Sequence, residues 1–263
     1  MSEASVWVPS CRDEASRAAL RVARELARLE HATVHVVATK NGHAEAGAIV
    51  HEVDAEPERA VVDAVDESAM IVTTTRDSRD PPTVGLGRAA RTVLSSARCP
   101  VVLVRPERGE AAWALEELLV PHDGTPTTSA AICPAAELAR SVGARLFAIH
   151  VVSSGAPRGQ EPGSLRVPHY VDQPQHEWPE WAGEFLERIR SQCPIDPSRL
   201  RLFLARGEPG GEILRIAEEN QVDLIVLAWH GTLEPRHADV FNVLLRRAPC
   251  PLLVLRTEPG APE

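Results

Sequence analysis

Three side chains in the second half of the chain have the chemistry of metal ligands: His122, Asp123 and His230. Imidazole and carboxylate together suit zinc or another divalent ion. His122 and Asp123 follow the apolar run LLVP, and His230 follows LIVLAW, so all three are expected at the carboxyl ends of strands. No HxH or HExxH spacing accompanies them and no fourth ligand is evident. Polar residues on a sheet rim are therefore the expectation, with no metal assigned and a metal-dependent hydrolase as the distant alternative. Cys11 stands at the start of an expected helix, where the helix dipole lowers a thiol pKa. A redox-sensing thiol is one reading of it, and an unreactive helix-start residue the plainer one. The five cysteines form no CxxC pair, which suggests neither a disulfide framework nor a structural zinc site. Cys99 and Cys250 each precede a proline and read as small buried packing residues. Trp178, Trp181 and Trp229 could line a pocket, although helix packing accounts for Trp181. Neither GxSxG nor GxxxxGK[ST] occurs, so no catalytic residue is assigned and a non-enzyme is expected.

The elements that must position these residues come in two copies. Residues 6–38 read VWVPS, a helix-period stretch, then TVHVVA; residues 118–150 read LLVPHD, a second helix-period stretch, then RLFAIH. Ala19, Val22, Ala23, Leu26 and Ala27 share one helical face, as do Ile132, Ala135, Ala136, Leu138 and Ala139. Each half closes on a helix, a Cys-Pro pair expected to stop it, and an apolar strand: RTVLSSARCPVVLVR and NVLLRRAPCPLLVLR. Val8 matches Val120 and Leu26 matches Leu138 at a separation of 112, whereas Ala55 matches Gly207 at 152 and Cys99 matches Cys250 at 151. The second copy therefore gains its extra length between its second and third strands. Residues 153–175 there are Gly/Pro-rich and read as a solvated loop rather than a binding lid, followed by an amphipathic helix over 180–190 (Trp181, Phe185, Leu186, Ile189). In the first copy only residues 40–47 separate TVHVVA from AIVHEV. A parallel crossover usually takes about a dozen residues or more, so the first copy is expected to have lost its second helix. The alternation β-α-β-(α)-β-α-β-loop-α-β implies a parallel sheet covered by helices, with ligands beyond the carboxyl ends of the strands.

Bulk properties narrow the partners. The chain has 263 residues, 44% hydrophobic and 25% charged, which is enough apolar material for packed cores. Its formal charge of −9 argues against a nucleic-acid or anionic-membrane surface, because counterion release needs clustered Lys and Arg. No apolar run reaches the roughly 18–20 residues of a membrane span. The first residues lack the basic segment and apolar stretch of a signal peptide, so a cytoplasmic location is expected.

These repeated pieces resemble the universal stress protein family over nearly the whole chain, as two tandem copies. In the second half, VPHDGTPTTSAA is similar to the family's opening turn, ARGEPGGEILRIAEENQVDLIVLA to its Gly-x-Pro turn, helix and strand, and RRAPCPLLVLR to its closing strand. EVDAEPERAVVDAV, SAMIVTT and SARCPVVLVR are weaker first-half versions. The resemblance implies an α/β fold of two Rossmann-like (adenine nucleotide alpha hydrolase-like) domains with five-stranded parallel sheets, the first copy shortened, at residues 1–107 and 111–257. It also implies that His150 has a packing role.

ATP-binding relatives carry Gly-x-x-Gly, nine residues, then Gly and Ser or Thr, so that bare amides and a helix N-terminus close on phosphate. Here Gly87 keeps the last glycine, but Arg88 replaces the hydroxyl residue, Thr74 and Asp77 replace the first two glycines, and Cys11 stands where the opening Asp belongs. Asp77 and nearby Asp80 put like charge where phosphate would sit. Arg88 is expected to be solvated. In the second half Pro121, Asp123, Val151, Leu227 and Gly231 match positions around the nucleoside, but Ala228 replaces the first glycine and Ala238-Asp239 replace Gly-Ser/Thr. The loop between them is three residues shorter than in the first half, and Arg236 and His237 are expected to be exposed there rather than to compensate. The resemblance thus implies a stress-response binding protein with degenerate ATP motifs. ATP is not expected, and AMP or adenosine is the candidate at Pro121, Asp123, Val151, Leu227, Ala228 and Gly231. A ligand-free interaction scaffold is the alternative. The strands VVLVR and LLVLR are expected to pair across the two domains as an intramolecular pseudo-dimer; a homodimer is also compatible, and the protein partner is unidentified.

Overall fold

Strands form where β-branched and apolar residues run together, and helices where apolar residues recur every three or four positions. The first half of the computed structural model comprises β1 (Ser5–Ser10), α1 (Glu14–Glu30), β2 (Thr33–Thr39), β3 (Ile49–Val53), α2 (Pro57–Ala64), β4 (Met70–Thr74), α3 (Arg88–Ser96) and β5 (Val101–Val104). The second comprises β6 (Glu117–Pro121), α4 (Pro126–Ser129), α5 (Ile132–Val142), β7 (Arg145–Val152), α6 (Pro174–Gln192), β8 (Leu200–Arg206), α7 (Pro209–Glu219), β9 (Leu224–Trp229), α8 (Pro235–Arg247) and β10 (Leu252–Arg256). The structure describes residues 4–10, 14–39, 47–54, 56–76, 80, 85–106, 113–152, 174–193, 195–229 and 235–257.

All ten strands belong to one sheet, in the order β3-β2-β1-β4-β5-β10-β9-β6-β7-β8. Each half is parallel within itself, and the halves join where β5 and β10 run antiparallel, with Leu103 opposite Leu252, Val102 opposite Leu253 and Val101 opposite Val254. Every residue of β5 is buried, as a strand covered on both faces must be. One face carries α1, α5 and α6, with Leu26, Ala135 and Phe185 in a single apolar cluster that spans both halves. The other carries α2, α3, α7 and α8, around Val61, Val93, Ile213 and Leu244.

Four details depart from the sequence-based expectations. The opening helix of the second half is broken into α4 and α5, because Pro134 lies in the first turn of α5 and has no N–H to continue the ladder. α3 and α8 end three residues ahead of their Cys-Pro pairs, which sit in the turn before the final strand. α6 starts at Pro174 rather than near residue 180. Cys133 and Cys193 form a disulfide, with Cα atoms 5.0 Å apart and a sequence separation of 60. Cysteine spacing carries no sign of this bond, because the two cysteines meet only when α6 lies against α5. Between β2 and β3 no helix occurs among the described residues, and residues 40–46 lie outside them. On that edge, Trp7 stacks over His35 (ring centroids 4.2 Å apart), and His35 Nδ1 lies 2.9 Å from His51 Nε2, so aromatic contacts help to hold β3.

Candidate functional site

The chain leaves β6 for α5 and β7 on one side and leaves β9 for α8 and β10 on the other. β6 and β9 are neighbours, with Leu118 beside Leu224 and Leu119 beside Ile225, so strand order reverses between them. A crevice opens there at the carboxyl ends, since the two crossovers lead away from it on opposite faces. Pro121 and Asp123 stand at the end of β6, Leu227 and Ala228 near the end of β9, and Val151 near the end of the adjoining β7. Pro121, Val151, Leu227 and Ala228 are half-buried, and Asp123 is exposed. Five of the six sequence-derived positions therefore share one end of the sheet; Gly231 lies outside the described residues.

The turn after β6 is fixed by its own side chains. Asp123 Oδ1 accepts from the Thr125 amide at 3.0 Å, the Thr125 hydroxyl at 2.7 Å and the Thr128 hydroxyl at 2.7 Å. Gly124 between them has φ +90°, a conformation that glycine adopts without Cβ strain. His122 is buried, with Nδ1 accepting from the Gly124 amide at 2.8 Å. An amide can donate only to an unprotonated nitrogen, so the ring is the Nε2–H tautomer and donates to Ser129 Oγ at 2.9 Å. That hydroxyl donates in turn to the Thr125 carbonyl at 2.8 Å. Both ring nitrogens of His122 are thus engaged in building the turn.

Behind the turn, His150 Nδ1 donates to the His122 carbonyl at 2.9 Å. Burial holds the His150 pKa below the usual imidazole value. α6 closes over both histidines: Phe185 meets the His122 ring edge-on at 4.7 Å, and Trp181 packs on His150 at 4.6 Å. The packing role implied for His150 and for Trp181 matches this arrangement. Trp229 lies at the end of β9 against Phe241, 4.9 Å between centroids.

At the equivalent end of the first half, a carboxylate of the chain itself approaches the start of α3. Asp80 places Oδ1 3.4 Å from the Arg88 amide at the start of α3, and a Cβ on Gly87 would lie 1.8 Å from Asp80 Oδ2. The anion-attracting helix start therefore already has a carboxylate beside it. Arg88 is exposed, as expected, and also pairs with Glu56 and with the buried Glu58, at 3.3 Å to each. Sequence reading missed Glu58, a buried carboxylate that the Arg88 guanidinium approaches from another helix. Cys11 and Asp77 lie outside the described residues.

Among the described residues, His122 and Asp123 are not joined by further ligands in a metal site. His122 and Asp123 serve the turn, His230 lies outside the described residues, and among the described residues no group of three or more His, Cys, Asp and Glu could hold a metal ion. The side chains of Trp178, Arg236 and His237 also fall outside them, whereas Asp239 is an exposed residue of α8. Burial pushes the Cys99 thiol up to about 11, in keeping with a packing residue. No helix among the described residues is long and apolar enough to cross a membrane.

Fold and crevice together define a doubly wound α/β protein, a class whose ligands sit at the reversal of strand order. The chain belongs to the universal stress protein family, whose sequence model matches residues 115–256. A universal stress protein from Archaeoglobus fulgidus DSM 4304 is similar in fold, with 15% identity over 96% of this chain and 98% of its own, and a TM-score of 0.63. A functionally unknown protein from Pseudomonas aeruginosa PAO1 is similar at 15% identity over 97% of this chain and 92% of its own, with a TM-score of 0.66. No curated protein matches it.

Proposed function

We propose that this chain is a stress-response binding protein without catalytic activity of its own, whose second half takes adenosine or AMP and whose first half is a structural partner. The observation that carries this reading is the contrast between the two ends of the second-half crevice. Its strand-one side is a turn fixed by Asp123, Thr125 and Thr128 beside the half-buried Pro121, Val151 and Leu227. Its phosphate side has Ala228 and Ala238-Asp239 where a polyphosphate cradle needs glycines and a hydroxyl. An apolar slot with a rigid polar turn suits a base and ribose, and the acidic residue near the helix start disfavours a chain of phosphates. The carboxylate of Asp80 at the α3 start supports the same reading of the first half as a non-binding copy.

Residues 1–107 and 111–257 are the two units of this reading. The antiparallel β5–β10 seam supports a single chain acting as its own dimer. A thermal-shift panel of ATP, AMP, adenosine and divalent ions, with mass spectrometry of any co-purified ligand, tests it. A rise with AMP or adenosine that Asp123→Ala abolishes is expected. No response to any of them would favour a ligand-free scaffold, and metal-dependent hydrolysis would overturn the assignment.

A further inference from the structure

Independently of which ligand binds, we infer that Cys133–Cys193 is a reversible redox-modification site that fastens α6 over the second-half turn. α6 covers His122 and His150 through Phe185 and Trp181, and Ile189 completes its buried stripe. Just past the end of this helix, Cys193 is tied to the first turn of α5. Beyond the bond, the seam between α5 and the segment leading to β8 is loosely filled: a cavity of about 290 Å³ separates Ala136, Ala139 and Arg140 from Ile195 and Asp196. At its far side Arg199 reaches back to the Gly143 carbonyl from an exposed position. Ile195 packs only partly against the cluster that Phe185 and Ile189 share with α5, so the bond adds a covalent tie where the apolar contact thins out.

The chemistry of the pair suits exchange. Cys133 is half-buried and lies in the first turn of α5, where the helix dipole stabilises a thiolate, whereas Cys193 is buried. A dithiol reductant attacks Cys133 Sγ through its thiolate, and Cys193 leaves as a thiolate and takes a proton. The reductant's second thiol then closes its own disulfide and releases Cys133 as the stabilised thiolate, so two electrons pass from the dithiol to the pair. In the reverse direction hydrogen peroxide converts the Cys133 thiolate to a sulfenic acid, with one proton taken up and the first water released. The Cys193 thiol condenses with it to restore the bond, and two waters are formed per peroxide. Cys99 and Cys250 are buried thiols outside this couple.

The test uses the full-length native chain, before and after treatment with dithiothreitol, by alkylation mapping and hydrogen–deuterium exchange. Two newly alkylated cysteines, 133 and 193, are expected, with amides of 174–192 exchanging at least about tenfold faster while β6 and β9 are unchanged. A Cys133→Ala/Cys193→Ala chain without reductant should exchange like the reduced protein, which separates loss of the bond from side effects of the thiol. The proposal is overturned if α6 exchanges equally in both states, or if the bond is absent from the oxidised protein. Reduction only in denaturant would overturn it equally.

Discussion

Because β5 and β10 merge two parallel sheets into one, damage at the seam should be felt by the whole chain rather than by one half. Leu103→Ala is the sharpest perturbation: Leu103 is fully buried in β5, opposite Leu252 across the join. Truncating a fully buried leucine to alanine costs about 3–4 kcal/mol in transfer and cavity terms. Unfolding entropy near about 2.1 cal/mol/K per residue gives roughly 0.55 kcal/mol/K for all 263 residues, so Tm falls by about 6 °C if the chain melts as one unit. If the halves melted separately, only the first would respond, and the smaller entropy of its roughly 107 residues, about 0.22 kcal/mol/K, would raise its shift to about 16 °C. Differential scanning calorimetry distinguishes the cases. A single transition moved by the smaller amount is expected, with calorimetric and van't Hoff enthalpies in agreement. Two transitions, of which one stays at its original temperature, would refute the reasoning.

Two charge substitutions probe the second half. Burial raises the Asp223 pKa even though Oδ2 accepts from the amides of Glu116 and Glu117 at 2.9 Å each. A raised folded-state pKa contributes stability present below the unfolded value, near about 3.9, and lost as pH climbs through the folded one. Asp223→Asn keeps one carbonyl for both amides, so its Tm should exceed that of the parent at pH 7 and lose the advantage at pH 4. His150 is depressed by burial, so the unfolded chain takes up its proton first as pH drops below about 6.5, and folding is weakened over that window. His150→Asn retains a donor for the His122 carbonyl, and the fall in Tm between pH 7.5 and 5.5 should shrink.

The repeated apolar runs made the sheet and most helices legible, because burial on both faces demands near-continuous Val, Ile and Leu, as in VVLVR and LLVLR. The crevice was legible for the same reason: Pro121 and Leu227 sit at ends of strands whose order follows from the alternation of elements. What stayed hidden depends on contacts between distant parts of the chain. Cys133 and Cys193 are separated by 60 residues and meet only through the packing of α6 on α5. His122 has the composition of a metal ligand, yet its two nitrogens are claimed by Gly124 and Ser129, a matter of ring orientation that spacing does not encode. Arg88 is solvated as its position suggested, but its pairing with Glu58, thirty residues earlier, arises only once α2 packs on α3.

Isothermal titration calorimetry of the full chain with AMP and then with ATP addresses the central claim most directly. The account predicts saturable AMP binding at one site per chain, with ATP binding no more tightly. Two equivalents of nucleotide, or ATP held about tenfold or more tightly than AMP, would show working phosphate cradles and contradict it.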